Sequence, residues 1–435
     1  MDNTLKKRVL IISYYWPPAG GIGVHRCLKF AKYLRDFGWE PVIYAPKNAN
    51  YPHLDHSNQK HIPKDLEIIY GNIIEPFSLF KKLSGRKKTD DANPVYVRDR
   101  KRKLIDKIGI WIRGNLFVPD ARALWITPSV RKLKKYLKNN PVNAIITDGP
   151  PHTNTLIGCK LSEELNIPWI ADFQDPWTQV DYYKMLMIGK IADKKHKRLE
   201  KHCLNVASEI TIASPTWAKD LEEVGGYNAK TIYWGYDEDD FPEIIPEFDK
   251  SFSIVHAGQL GFDRFPKTFL EILSEIANEK TDFKKDLQIK FAGTVDFEIE
   301  NYIKALDLVN NYQAIGKISF PEAINLTLKA HLLLLPLNIA NNAKGRIPGK
   351  LFENIRAKRP ILCLGPTNSD VSKILNETNT GKTFEYDDKQ GIKSFILSIY
   401  SNYRNNINTV SANEIEVYQV KNQVKKLAGY LDEIT

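Results

Sequence analysis

The sequence predicts an α/β protein made of two doubly wound, parallel-sheet domains. Three observations carry this. Short apolar runs alternate with amphipathic helical stretches, the pattern of strands buried on both faces and separated by crossover helices. The alternation stops at the acidic, proline-bearing segment YDEDDFPEIIPEFDK (236–250) and then begins again. The chain, at 435 residues with 43% apolar content, is too long for one ordinary core but sufficient for two of about 200 residues.

The first strand is VLIIS (9–13), and it runs straight into the glycine-rich loop YYWPPAGGIG. Cys27, Phe30, Ala31 and Leu34 then recur at i, i+3, i+4 and i+7, which predicts a helix ending at Phe37–Gly38. PVIYA (41–45) completes a βαβ unit. Gly20 and Gly21 fall between strand and helix, where missing side chains let a ligand approach the backbone. Arg26 stands where a dinucleotide fingerprint needs its third glycine, which argues against a nicotinamide or flavin cofactor. Further strands are predicted at Glu67–Tyr70, Ala144–Thr147, Pro168–Ala171, Glu209–Ala213 and Thr231–Trp234. In the second half they are Ser253–His256, Gln288–Ala292, Lys317–Phe320, Leu332–Leu335 and Pro360–Leu364, with a helix at Lys267–Asn278. Val417, Val420, Val424, Leu427 and Leu431 predict a terminal helix. The expected domains are 1–245 and 251–410, with 411–435 packing back on the first.

Lys+Arg of 62 against Asp+Glu of 52 gives a net charge of +10, implying an anionic partner without choosing among nucleotide, nucleic acid and lipid surface. Cys27, Cys159, Cys203 and Cys363 form no CxxC pair, so they read as free thiols, and no metal ligands are assigned. The apolar run near the N-terminus is too short for a signal-peptide core, and no run reaches membrane-span length, so a cytoplasmic protein is expected. Lys81–Lys103, followed by Ile108, Ile110, Trp111 and Ile112, and Lys190–Lys201 are strongly basic. Two readings stand for them: solvated surface, or peripheral contact with the anionic inner face of a membrane. No nucleic-acid module accompanies them.

The segment GRIPGKLFENIRAKRPILCLGP (345–366) carries the densest chemistry. If Pro348 opens a helix, its first amides favour an anion. Leu351, Phe352 and Ile355 share one face, and Lys350, Glu353 and Asn354 share the other. Lys350 and the amides suit a diphosphate, and Glu353 can accept from ribose hydroxyls. An ion-paired surface helix fits this stretch equally well. Arg264, after the first strand of the second domain, joins Lys350 as a candidate clamp for a diphosphate leaving group, with Arg346 assisting. In the first domain DGPPHTNT (148–155) and ADFQDPWT (171–178) follow strands on the same edge as Gly20 and Gly21. His152 can donate to a sugar hydroxyl or carbonyl, and Asp172 and Asp175 can orient an acceptor hydroxyl; each equally admits a structural role. No Walker loop, HExxH or Ser-His-Asp order is present.

SYYWPPAGGIGVHR, FVPDARALW, DGPPHTN, ADFQDPWT, GYDEDDF and GRIPGKLFENIRAKRPILCLGP, in this order, resemble the retaining GT-B glycosyltransferases, in particular glycosyltransferase family 4. The resemblance implies GT-B architecture: two Rossmann-like domains facing across a cleft, the first holding an acceptor and the second a UDP- or GDP-linked sugar. It implies metal-independent transfer, without a cofactor, to a surface glycan or lipid-linked acceptor in polysaccharide biosynthesis. By this resemblance Glu353 holds the donor ribose, Arg264 and Lys350 clamp the diphosphate, and His152 lies near the donor sugar. The donor set is Gly20, Gly21, Arg264, Arg346, Lys350, Leu351 and Glu353; the catalytic set is His152, Arg264 and Lys350; Asp172 and Asp175 face the acceptor. Two positions depart from the family pattern. Gly345 stands where a second glutamate is common, eight residues before Glu353, and Gln174 replaces an arginine in DFRDPW. A non-catalytic nucleotide-sugar-binding protein of the same fold is the alternative reading.

Overall fold

The structure is a computed structural model that describes residues 6–75, 104–225, 227–340 and 342–435. The basic stretch Lys81–Lys103 therefore lies outside the described residues. The chain divides into two compact units, Met1–Tyr233 with Lys421–Thr435, and Trp234–Val420.

Unit 1 is built on a seven-stranded sheet in the order β3-β2-β1-β4-β5-β6-β7. The strands are β1 (Lys7–Ile12), β2 (Trp39–Pro46), β3 (Glu67–Gly71), β4 (Ala144–Gly149), β5 (Trp169–Phe173), β6 (Glu209–Ile212) and β7 (Lys230–Thr231). Every pairing is parallel. Val9, Leu10, Ile11 and Ile12 are fully buried, because helices cover both faces of a parallel sheet and leave β1 no solvent side. The helix Gly23–Tyr33 turns Cys27, Phe30 and Ala31 inward, tightens into a 3-10 turn at Leu34–Phe37, and ends on Gly38 in the left-handed region (φ 83°). Fully buried Trp125 stacks on Tyr44 at 5.1 Å, and Trp169 and Phe173 fill the same core. Each such side chain contributes about 1.5–3 kcal/mol of burial energy.

Unit 2 carries a six-stranded sheet in the order β10-β9-β8-β11-β12-β13. Its strands are β8 (Phe252–Ala257), β9 (Leu287–Ala292), β10 (Tyr312–Gly316), β11 (Leu332–Pro336), β12 (Ile361–Leu364) and β13 (Gly381–Phe384), again all parallel. The predicted strand at Lys317–Phe320 is corrected. The strand is Tyr312–Gly316, and Ser319 instead forms a capping box with Glu322 that starts the helix Phe320–Lys329. Tyr312–Gly316 is half-exposed at the sheet edge, so hydrophobic patterning does not mark it. β13, at the other edge, was not predicted at all.

The border between the units falls at Tyr233–Trp234, ahead of the acidic segment. Segment 234–241 belongs to unit 2 because Tyr236 N donates to Tyr418 O (3.1 Å) and Val420 N to Tyr236 O (2.7 Å). Arg356 also pairs with Glu238 at 2.8 Å and lies over the Phe241 ring. The terminal helix is Val420–Ile434, later than 411, and from Lys421 onward it belongs to unit 1. Lys421 pairs with Asp36 (2.7 Å), Lys7 with Asp432 (2.9 Å), and Gln423 accepts from Tyr233 N (2.9 Å). Among the described residues, no helix is long and apolar enough to cross a membrane.

Candidate functional site

Both sheets reverse their winding at the centre, between β1 and β4 in unit 1 and between β8 and β11 in unit 2. Ligands of such sheets bind beyond the carboxyl ends of the strands at this switch point.

In unit 2, β8 runs into Gly258, whose φ of 132° is closed to ordinary side chains. A Cβ at Gly258 would overlap Lys350 Nζ. The missing side chain is what lets the ammonium reach in and donate to Ala257 O at 2.9 Å. Burial lowers the Lys350 pKa to about 8, the charge of Arg264 adds to this, and Glu353 opposes it. The three residues singled out by the sequence thus share one electrostatic site. Arg264 lies beside Asp263 (3.3 Å), and its Nε is shielded from solvent without a hydrogen-bond partner. Asp263 is held by the Asn338 amide, just past β11, and its carbonyl accepts from Ile339 N at 2.8 Å. Loops from both sides of the switch point therefore brace Arg264.

His256, at the end of β8, is a site residue that sequence reasoning missed. It is fully enclosed, and its Nδ1 lies 2.9 Å from Leu334 O on β11. Burial first, then the Lys350 charge, bring its pKa down to about 3, so it faces the two cations as a neutral imidazole. The signal was its position at the carboxyl end of the central strand.

Three expectations for segment 345–366 are corrected. The helix is only Lys350–Arg356, and the amides of Leu351 and Phe352 are already engaged by the carbonyls of Pro348 and Gly349 at 3.0 Å. Those two helix amides are therefore not free for an anion. Leu351, assigned to the donor, is fully buried, so its side chain belongs to the core. Asn354 is also buried, not on an exposed polar face. Arg346 is half-buried, four residues ahead of Lys350, and follows the 3-10 turn Ala343–Gly345. Both polar atoms of the Asn342 carboxamide, at the start of that turn, are shielded and lack hydrogen-bond partners.

In unit 1, Gly20 N donates to His53 O (2.9 Å), and Gly21 takes a φ of 88° that turns the loop toward the helix Gly23–Tyr33. His152 is the first residue of the helix Pro151 leads into, His152–Leu165. Its ring stacks on Trp177 (centroids 4.7 Å, planes 3° apart), and its Nδ1 is shielded without a partner. Burial, with His196 nearby, lowers its pKa to about 3, so it too is neutral. Asp175 is half-exposed in the loop after β5.

Asp172 is corrected: it does not face an acceptor. It is fully buried; Arg26 donates to both its oxygens at 2.6 Å, and Thr211 Oγ1 donates at 2.6 Å. Arg26, the residue in place of a third glycine, is the partner that sequence reasoning missed. Gln174 Nε2 donates to Asp148 Oδ1 at 2.6 Å and to Gly23 O at 3.3 Å, so the departure from arginine is locally satisfied. Asp148 is fully buried, and burial with Asp172 beside it pushes its pKa up to about 7. All four cysteines are free and buried. Cys159 and Glu163 come close to His202 on the neighbouring helix, but Glu163 Oε1 already lies 3.1 Å from His202 Nε2.

No family model and no curated protein matches the chain. Solved structures do. A sucrose-phosphate synthase from Thermosynechococcus elongatus is similar over 98% of this chain and 97% of its own, with a TM-score of 0.57 and 14% identity. A mutant of S. aureus TarM in complex with Fondaparinux, alpha-GlcNAc-glycerol and UDP matches over 98% and 100%, with a TM-score of 0.57 and 11% identity. A UDP-GlcNAc 2-epimerase from Neisseria meningitidis bound to UDP-GlcNAc matches over 98% and 100%, with a TM-score of 0.53 and 13% identity. At such identities the likeness shows the fold. The fold is GT-B, two parallel-sheet α/β units of seven and six strands.

Proposed function

We propose that this chain moves a sugar from a UDP- or GDP-linked donor to a surface-glycan or lipid-linked acceptor, with retention of configuration and without a metal ion. The observation that carries the reading is the convergence of Lys350, Arg264 and Glu353 beyond the carboxyl end of β8. Two cations brought near each other in a shielded place repel each other, which adds to the larger effect of burial on the Lys350 pKa, and an anion relieves that repulsion. They suit the diphosphate, on which charge grows as the bond to the sugar breaks. Glu353, one turn along, accepts from the ribose hydroxyls. In the transfer the bond from the anomeric carbon to the phosphate oxygen breaks, and the acceptor oxygen bonds that carbon on the same face. The acceptor proton passes to the departing phosphate oxygen, so no side chain has to act as a strong base. His152, neutral and buried, donates to the sugar. Asn342, with its unsatisfied carboxamide, takes the sugar contact that Gly345 cannot make.

Calorimetric titration with UDP, GDP and their sugars tests the site. Lys350→Ala and Glu353→Ala should each weaken nucleotide binding by at least about tenfold, a loss typical of a charge-assisted contact. Unchanged affinity in both variants would sink the assignment. Asn342→Ala should weaken the nucleotide-sugar and leave the free nucleotide unaffected.

The alternative, a nucleotide-sugar binder without transfer, is favoured by Gly345. Slow hydrolysis of a bound donor, followed by chromatography, separates the two, since a pure binder leaves the donor intact. The similarity to a solved 2-epimerase makes a second control useful: incubation without acceptor should yield no epimerised nucleotide-sugar.

A further inference from the structure

The helix Leu104–Asn115 and the segment that follows β5 carry six large apolar side chains that unit 1 leaves in solvent. They are Ile108 (47% exposed), Trp111 (46%), Leu116 (63%), Met185 (44%), Met187 (45%) and Ile191 (89%). Ile108, Trp111 and Asn115 form a stripe at i, i+3 and i+7. At its end Asn115 Nδ2 donates to Met187 O (3.1 Å), and Asn115 Oδ1 accepts from Gly189 N (2.7 Å). Gly114 packs against the backbone of Leu186, so the helix and the segment 181–189 lie against each other. Ile191 follows in the first turn of the helix Lys190–Val206.

Cations surround this patch. Residues 104–116 and 181–197 hold seven Lys and Arg against three Asp, and Asp193 is spent on Lys197 at 2.8 Å. Lys107, Lys184, Lys190 and Lys194 are exposed among the apolar side chains. A core-facing helix would have turned Trp111 inward. Here Ile110 is buried and Trp111 is not. Trp with aliphatic residues, ringed by lysines whose stems can lie along apolar surface, matches the boundary between headgroups and acyl chains.

We propose that this face of unit 1 docks on an anionic lipid bilayer, with Trp111, Met187 and Ile191 entering the interface and the lysines meeting the headgroups. The inference does not rest on Lys350, Arg264 and Glu353, which belong to the other unit.

Flotation of the full chain with vesicles of equal parts phosphatidylglycerol and phosphatidylcholine tests it. The protein should float with these vesicles and not with phosphatidylcholine alone, and high salt should release it. The combined variant Trp111→Ser, Met187→Ser and Ile191→Ser should lower the floated fraction at least about tenfold, with circular dichroism and UDP affinity unchanged as the folding control. If that variant is misfolded, Lys184→Glu with Lys190→Glu should show the same loss. Absence of flotation, or equal flotation of folded variants, overturns the proposal. So does sedimentation showing a dimer that the apolar substitutions dissolve, because the face would then belong to a second copy.

Discussion

Lys350 Nζ donates to the carbonyl oxygen of Ala257 at 2.9 Å, across the space that a side chain on Gly258 would fill. An ammonium with a pKa of about 8 is charged at neutrality but close to losing its proton. Its protonated form is the one that binds phosphate, so linkage makes UDP affinity fall as pH rises through about 8, by up to about tenfold per pH unit. Lys350→Arg, always charged, should flatten that dependence. Calorimetry between pH 6.5 and about 9.5 checks it; identical profiles in the two proteins would refute the role of Lys350.

Gly258→Ala places a Cβ where φ is 132° and where Lys350 Nζ already lies. The strain should cost about 1–3 kcal/mol in urea unfolding, and displacement of the ammonium should lower UDP affinity about as much as Lys350→Ala does. Stability lost with affinity intact would show that Lys350 does not need this passage.

Arg26 and Asp172 form a pair that neither solvent nor any ligand needs to complete. Asp172→Ala leaves a buried guanidinium unpaired and should destabilise unit 1 by about 3–5 kcal/mol. Replacing both residues together with Arg26→Met and Asp172→Leu should cost clearly less. Chemical denaturation of the two variants distinguishes this scaffold role from an acceptor role, for which Asp172→Ala alone would fold as stably as the parent and lose only transfer.

Asp148 sets a pH dependence of the opposite sense to a paired carboxylate. Its folded pKa of about 7 lies above the ordinary 3.8, so between these values the folded chain binds more protons than the unfolded one. Stability contributed by the protonated acid is present below about pH 4 and lost as pH rises through 7. Asp148→Asn, which keeps an oxygen for Gln174, should therefore raise stability at pH 8 relative to pH 4 by about 2–4 kcal/mol. Thermal unfolding at the two values should show this; an equal shift at both would mean that Asp148 is ionised in the fold.

The central strands were legible because burial on both faces writes an unbroken apolar run, as in VLIIS and LLLLP. The two edge strands of unit 2 were not, although the unit 1 edge strand Glu67–Gly71 was. Tyr312–Gly316 and Gly381–Phe384 face solvent in part, and their pairing with a neighbour, not their composition, makes them strands. Arg264 became a candidate because it follows a predicted strand end, and Lys350 and Glu353 because they share one face of the helix predicted in 345–366. His256 ends a predicted strand too, but that position carries no special chemistry until Leu334 and the two cations surround it.

By itself, then, the sequence determined the α/β class, the doubling of the αβ pattern and the charges of the candidate donor site, because periodicity and residue chemistry are local properties. Tertiary structure alone decided that Asp172 belongs to Arg26, that Gln174 serves Asp148, and that Leu351 is core. It alone also left Trp111, Met187 and Ile191 exposed and joined the helix that carries Trp111 to the segment that carries Met187. Partners so far apart in the chain meet only when strand order brings their edges together, and no spacing along the sequence encodes that meeting.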